Sequence, residues 1–224
     1  MKFTKKIVAV VAGVAMCAGL AACGGSRSGQ ATGGDAKIEK GATIGISMPT
    51  KSEERWNKDG NNLKAKLEKA GYKVILSFAD DKPAQQNADI ENMVNNDAKI
   101  VVVASKDGTA VGPAVEKARD AGAKVIAYDR LIMNTDAVDY YATFSLEEVG
   151  KMQGEYIEKA LGLKDGKKGP FNVELMAGSP TDNNAGYYFK GAWSVLGKYY
   201  KSGVLQAKSG KVPADETEWQ SIGI

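Results

Sequence analysis

Lys124-Val125-Ile126-Ala127-Tyr128-Asp129-Arg130 is the stretch on which the fold turns. Its apolar run, Val125 to Ala127, reads as a buried parallel strand, and the run stops abruptly at an aromatic ring, a carboxylate and a guanidinium. In an open α/β sheet the ligand cleft lies just beyond the carboxyl ends of the strands, so Asp129 and Arg130 are expected at its rim.

Working back from this stretch, apolar runs begin near Thr43, Lys73 and Lys99 as well as Lys124. That spacing of roughly 25 to 30 residues is the length of a βα unit and predicts a parallel, doubly wound sheet. Between the strands, Trp56, Gly60, Leu63 and Leu67 share a helical face that Gly71 terminates. A second helix is expected over Pro83 to Asn95 and a third over about Thr109 to Ala121, with Gly122 as its C-cap.

Working forward, Asn134-Thr135-Asp136 is turn-forming, and Tyr140 to Phe144 is a β-prone run expected to cross to a second lobe. Val149, Met152, Tyr156 and Ala160 mark a helix, and Phe171 to Met176 another strand. Thr181-Asp182-Asn183-Asn184 leads into a helix with Tyr188, Ala192, Val195 and Tyr199 on one face, capped by Asp182 or Asn183. No complete element is expected over Lys211 to Ile224. The second lobe therefore holds about one strand-helix-strand unit, less than a self-sufficient α/β domain needs, and the chain is expected to be part of a longer one.

At the amino terminus Lys2, Lys5 and Lys6 precede an apolar run from Ile7 to Leu20, the pattern of an export signal. The run ends in Leu20-Ala21-Ala22-Cys23-Gly24, which resembles a lipobox, with Cys23 the lipidated first residue of the mature chain. Gly24 to Gly34 reads as a flexible tether. The division expected is thus signal 1–22, lipidated cysteine and tether 23–40, first lobe 41–137 and partial second lobe 138–224.

Setting aside those three of the 30 basic residues leaves parity with the 27 acidic ones, so no nucleic-acid footprint remains. The chain has no histidine, which closes the His-dependent nucleophile classes and every histidine-ligated metal site. Met48 to Lys51 carries neither glycine-rich nucleotide fingerprint, which weighs against a nucleotide-dependent α/β enzyme. No catalytic residue, metal or cofactor is expected.

Three strand-end loops carry the candidate chemistry: Lys51 to Trp56, then Asp129-Arg130, then Asp182 to Asn184. Carboxylates accept hydroxyl protons, an arginine fork donates to vicinal oxygens, asparagine does both, and an indole face covers a sugar's C–H side. Each residue also has a plain reading. Arg55 and Asp129 can form a simple surface ion pair, Trp56 can belong to the core, and Asp182 and Asn184 can be capping residues.

At these loops the sequence resembles a family. MPTKSEERW (48–56), IENMV (90–94), VIAYDRLI (125–132), YYATFSLEEVGKMQG (140–154) and GSPTDNNA (178–185) are similar to the periplasmic sugar-binding proteins of ABC importers, in the xylose-binding and multiple-monosaccharide-binding branch. The resemblance implies an α/β fold of two Rossmann-like lobes closing over one pyranose, the second incomplete here. It implies that Lys51, Arg55, Trp56, Asp129, Arg130 and Asn184 reach the sugar, with Asp182 a weaker carry-over. It further implies a monomer, lipid-anchored on the outer side of the cell membrane, that hands a monosaccharide to an ABC permease or presents it to a chemoreceptor or sensor kinase. A sugar-responsive repressor shares the two lobes but carries a DNA-binding head where this chain has an export signal.

Overall fold

The computed structural model describes residues 38–223, so the proposed signal, Cys23 and most of the tether lie outside the described residues. Five parallel strands form the main sheet: β1 (Thr43–Met48), β2 (Lys73–Phe78), β3 (Ala98–Val103), β4 (Lys124–Tyr128) and β5 (Tyr140–Ala142), in the order β2-β1-β3-β4-β5. The chain winds outward from β1 in one direction and from β3 in the other, which puts the topological switch point between these two strands.

Helix α1 (Glu54–Lys69) packs against β1 and β2, while α2 (Pro83–Asn95) and α3 (Gly112–Asp120) pack on each other and on β1, β3 and β4. Side-chain alternation along β3 shows why both faces must be covered. Val101 and Val103 enter a core with Ile90, Met93, Val115 and Val125, whereas Val102 enters the other with Ile44, Ile46, Met48 and Trp56. Gly45 faces the first of these cores, where Met93 fills the space its side chain would take.

Gly71 and Gly122 follow their helices at φ +95° and +89°, the left-handed conformation that glycine adopts without steric cost. Helix α3 starts three residues later than Thr109, because the Asp107 carboxylate accepts the Thr109 and Ala110 N–H groups, each at 2.9 Å, and holds them in a turn.

The run beginning at Tyr140 does not cross away from the first sheet. Tyr140, Tyr141 and Ala142 pair with Ile126, Ala127 and Tyr128 as its fifth strand. Beyond it come α4 (Leu146–Ala160), β6 (Phe171–Asn172), α5 (Asn184–Lys201) and β7 (Leu205–Gln206), β6 and β7 pairing in parallel.

The strand expected over Phe171 to Met176 is confined to Phe171 and Asn172, because β7 offers only two ladder partners. The segment that follows instead borders an apolar cavity of about 440 Å³ with Val149, Phe189 and Trp193, which contains none of the candidate residues. Residues 216–222, within the stretch where no complete element is expected, form a short 3-10 helix. Its N-cap Asp215 accepts the Thr217 N–H at 2.8 Å, and Ile222 is buried.

Helices α4 and α5 touch through glycine. A Cβ at Gly150 would land on the Tyr188 carbonyl, and one at Gly191 on the Glu147 carbonyl, so the two backbones meet directly there. Among the described residues no helix is long and apolar enough to cross a membrane.

Candidate functional site

The carboxyl ends of β1, β3 and β4 and the start of α5 converge at one edge of the main sheet. Arg55 sits in the first turn of α1 and pairs with the Asp129 carboxylate at the end of β4. Its Nε also lies 3.5 Å from Asp59, one turn further along α1. Burial works against the Arg55 charge, but the bond and the field of Asp129 outweigh it and hold the guanidinium above its ordinary pKa. Asp59 in turn accepts the Tyr128 hydroxyl at 3.2 Å.

The second arginine repeats this arrangement across the two parts of the chain. Arg130 donates through Nε to Asp182 at 3.1 Å and through a terminal nitrogen to the Ser105 carbonyl at 3.2 Å. The Asp182 carboxylate also accepts the Asn184 N–H at 3.0 Å, so it both caps the start of α5 and anchors Arg130. Both guanidiniums lie over the Trp56 ring, at 4.6 Å for Arg55 and 5.2 Å for Arg130.

Asp129 has φ +63°, an uncommon conformation for a residue with a side chain. Its carbonyl accepts from the Asn184 amide at 2.8 Å, the Thr143 hydroxyl at 3.0 Å and the Tyr141 hydroxyl at 3.1 Å. Asn184, only 4% exposed, also presents its Oδ1 to the Leu131 N–H at 3.4 Å and to the Tyr141 hydroxyl at 3.1 Å.

Gly108 completes the closure. Its N–H donates to the Thr181 carbonyl at 3.3 Å, and a Cβ there would stand 2.5 Å from the Leu131 oxygen and 2.8 Å from the Asn183 amide.

Six of the seven binding residues expected from the sequence are therefore brought together: Arg55, Trp56, Asp129, Arg130, Asp182 and Asn184. Lys51 is not joined to them. Its side chain is exposed, with the ammonium 5.3 Å from the Phe78 ring centre, and its carbonyl accepts from Asn57 at 2.6 Å.

Trp56 does not present an open indole face. It is 1% exposed, shares a core with Ile46 and Met48, and lies beneath the two arginines. Sequence reading assigned no site role to Asp59, Tyr128 or Tyr141, and took Asp107-Gly108 for a turn. The i,i+4 spacing of Arg55 and Asp59 was a local signal for the first, but a long-range bond such as Tyr141 to Asn184 leaves none.

The arrangement sets two guanidiniums against the carboxylates of Asp129, Asp182 and, on the far side of Arg55, Asp59, with an amide beside them. Among the described residues no group of acidic or cysteine side chains is placed to hold a metal ion.

A family model described as periplasmic binding protein domain matches residues 44–221. The chain belongs to the periplasmic binding protein family. It is 52% identical over 174 residues to the multiple sugar-binding periplasmic protein SbpA of Azospirillum brasilense, covering 78% of this chain and 48% of that protein. To the D-xylose-binding periplasmic protein of Haemophilus influenzae it is 36% identical over 167 residues, covering 75% and 48%. Among solved structures, an ABC transporter solute-binding protein from Clostridium phytofermentans with bound β-D-glucose superposes with a TM-score of 0.76 at 46% identity, covering 81% of this chain and 54% of that one. The chain spans about half the length of the curated relatives it matches. The α/β architecture expected from the strand spacing is that of this binding-protein family, and the short second lobe matches the share of the neighbours that is covered.

Proposed function

We propose that this binding protein takes up a neutral monosaccharide of the glucose, galactose, xylose or arabinose class at the edge formed by β1, β3, β4 and the start of α5, and passes it on to an ABC permease. The observation that carries the reading is the pair of acid–arginine units, Arg55–Asp129 and Arg130–Asp182, set on Trp56 at the sheet's switch point. Arginine forks donate to vicinal hydroxyl oxygens and carboxylates accept hydroxyl protons, while guanidiniums already matched by carboxylates suit a neutral polyol rather than an anion. The names of the relatives support the ligand class: one binds multiple sugars, one D-xylose, and the solved neighbour holds glucose.

In this reading Arg55, Asp129 and Arg130 meet the sugar, while Asn184 and Asp182 hold the second lobe against the first. Lys51 contributes only on closure, from its exposed position. Binding shifts the population toward the state in which both lobes touch ligand, and no bond is broken. Export through the amino-terminal signal and lipidation at Cys23 keep the domain at the outer face of the membrane, beside its permease.

Calorimetric titration of D-xylose, D-glucose, D-galactose and L-arabinose tests the reading, using this chain and a carboxy-terminally extended form. A micromolar affinity, about −8 kcal/mol, for at least one sugar in the extended form is expected. Absence of binding for every sugar in both forms overturns it.

A further inference from the structure

The far end of the second lobe carries charge that the proposed sugar site does not use. Helix α5 runs 18 residues from Asn184 at the site to Lys201, about 27 Å of helix, so its carboxyl end lies well away from the arginine pair. Around that end stand Lys159, Lys164, Lys167, Lys168, Lys198 and Lys201, all exposed. The acids near them are Glu155, Glu158 and Asp165, and Asp215 stands in the field of Lys201. This contrasts with a chain whose basic and acidic residues are otherwise nearly in balance.

Part of this cluster has an ordinary explanation. Lys159, Lys198 and Lys201 occupy last turns of helices, where a cation complements the macrodipole. Lys164, Lys167 and Lys168 stand in the loop between α4 and β6 and complement no helix end of their own.

The cluster is also built rather than scattered. Glu158, 1% exposed, accepts from the Lys164 ammonium at 3.0 Å, the Lys198 ammonium at 3.1 Å and the Tyr199 hydroxyl at 2.8 Å. One buried carboxylate thus holds two lysines whose side chains remain 65% and 63% exposed. Beside them a cavity of about 440 Å³ is lined by Gly166, Lys167, Lys168, Tyr199 and Ser202. On α4, Met152 and Tyr156 share the face that carries Lys159, at i, i+4 and i+7, and are 59% and 74% exposed.

Ammonium groups around an open recess, with a methionine and a tyrosine on the helix face that carries Lys159, are the groups that meet an anionic lipid headgroup layer. Lysines attract the phosphodiester, and the tyrosine and methionine enter the interface. From this juxtaposition we infer that the lysine-rich pole of the second lobe is a docking surface for an anionic phospholipid membrane. Contact there leaves the opposite, sugar-facing edge free.

The inference is tested by cosedimenting the full chain with vesicles of phosphatidylcholine alone and with phosphatidylglycerol added, across a salt series. The wild type is compared with Lys167→Glu/Lys168→Glu and with a control, Lys66→Glu/Lys69→Glu, which reverses two exposed lysines at the end of α1. All three carry the same amino-terminal segment, so its own affinity for lipid cancels in the comparison.

The expected result is phosphatidylglycerol-dependent binding that weakens with salt, drops about tenfold in the pole variant and stays near wild type in the control. Equal loss in both variants, or no difference between the pole variant and the wild type, overturns it. Inorganic phosphate is added at matched ionic strength in a further arm. If it displaces the protein from vesicles better than chloride does, the recess is a site for a free anion and the membrane assignment falls. Sugar titration of the pole variant is expected to match the wild type, which keeps a failure here distinct from a failure of the sugar reading.

Discussion

The Asn184 side-chain amide donates to the Asp129 carbonyl at 2.8 Å while its oxygen faces the Leu131 N–H at 3.4 Å, so one buried side chain engages the backbone on both sides of Arg130. The residue at the start of α5 thereby fixes the turn from which Asp129 and Arg130 project. This bond joins residues 55 positions apart and holds Asp129 at its positive φ.

Replacing Asn184 by Ala leaves the Asp129 carbonyl and the Leu131 N–H, both on half-buried residues, with fewer partners. The expected cost is about 1–3 kcal/mol of stability, together with weaker sugar binding because the Arg130 turn is released. Thermal unfolding and sugar titration of the same preparation check both parts. Unchanged unfolding in Asn184→Ala would show that the bond carries no load.

Arg55 answers a different question, because its side chain is 51% exposed and its pairing with Asp129 should add under about 1 kcal/mol to stability. Its fork is needed for planar, two-point donation that a lysine cannot reproduce. Arg55→Lys is therefore expected to unfold within a few degrees of the wild type yet bind monosaccharide about tenfold more weakly, a loss of about 1.4 kcal/mol. Calorimetry reads the affinity, and wild-type affinity in the lysine variant would remove Arg55 from the site.

Two glycines make a packing test. Gly150→Ala sets a methyl group against the Tyr188 carbonyl, and Gly191→Ala one against the Glu147 carbonyl, at the direct contact of α4 and α5. Alanine raises intrinsic helix propensity at both sites, so propensity predicts a gain and packing a loss. The clash is with backbone, which cannot rotate away, and a loss of about 1–3 kcal/mol is expected in denaturant titrations. A gain in either variant would mean that the helices separate at little cost.

Acid sensitivity should trace to Glu158. Burial alone would raise its pKa, but the hydrogen bonds from Tyr199, Lys164 and Lys198 outweigh burial and hold it at about 2, against 4.5 for a free glutamate. A carboxyl with a depressed folded pKa contributes stability above its unfolded pKa and loses it as pH falls through the folded one. The wild type's advantage over Glu158→Gln should be constant above about pH 4.5 and shrink on descending toward pH 2. Melting temperatures across that range give the answer, and a gap that does not narrow refutes the assignment.

The residues themselves show where sequence reading stopped. Val101 to Val103 and Val125 to Ala127 announce buried strands, and Asp129-Arg130 after such a run announces a cleft edge, because burial on both faces demands a continuous apolar run and charge must lie at its end. Tyr140 to Ala142 was legible as a strand but not as the fifth strand of the first sheet. An edge strand exposed along its length carries the same β-prone residues whichever sheet it joins.

By itself, then, the sequence determined the βα periodicity, the parallel doubly wound sheet and the three loops that meet at its edge, since short-range pattern and connection rules suffice for these. Only the tertiary structure decided which of those loop residues touch one another. It buried Trp56 beneath two guanidiniums, joined Asn184 to the Asp129 backbone, left Lys51 apart and set Gly108 against Leu131. Hydrogen bonds and ion pairs between residues far apart in the chain depend on distances of a few tenths of an ångström after packing, and residue spacing carries no record of them.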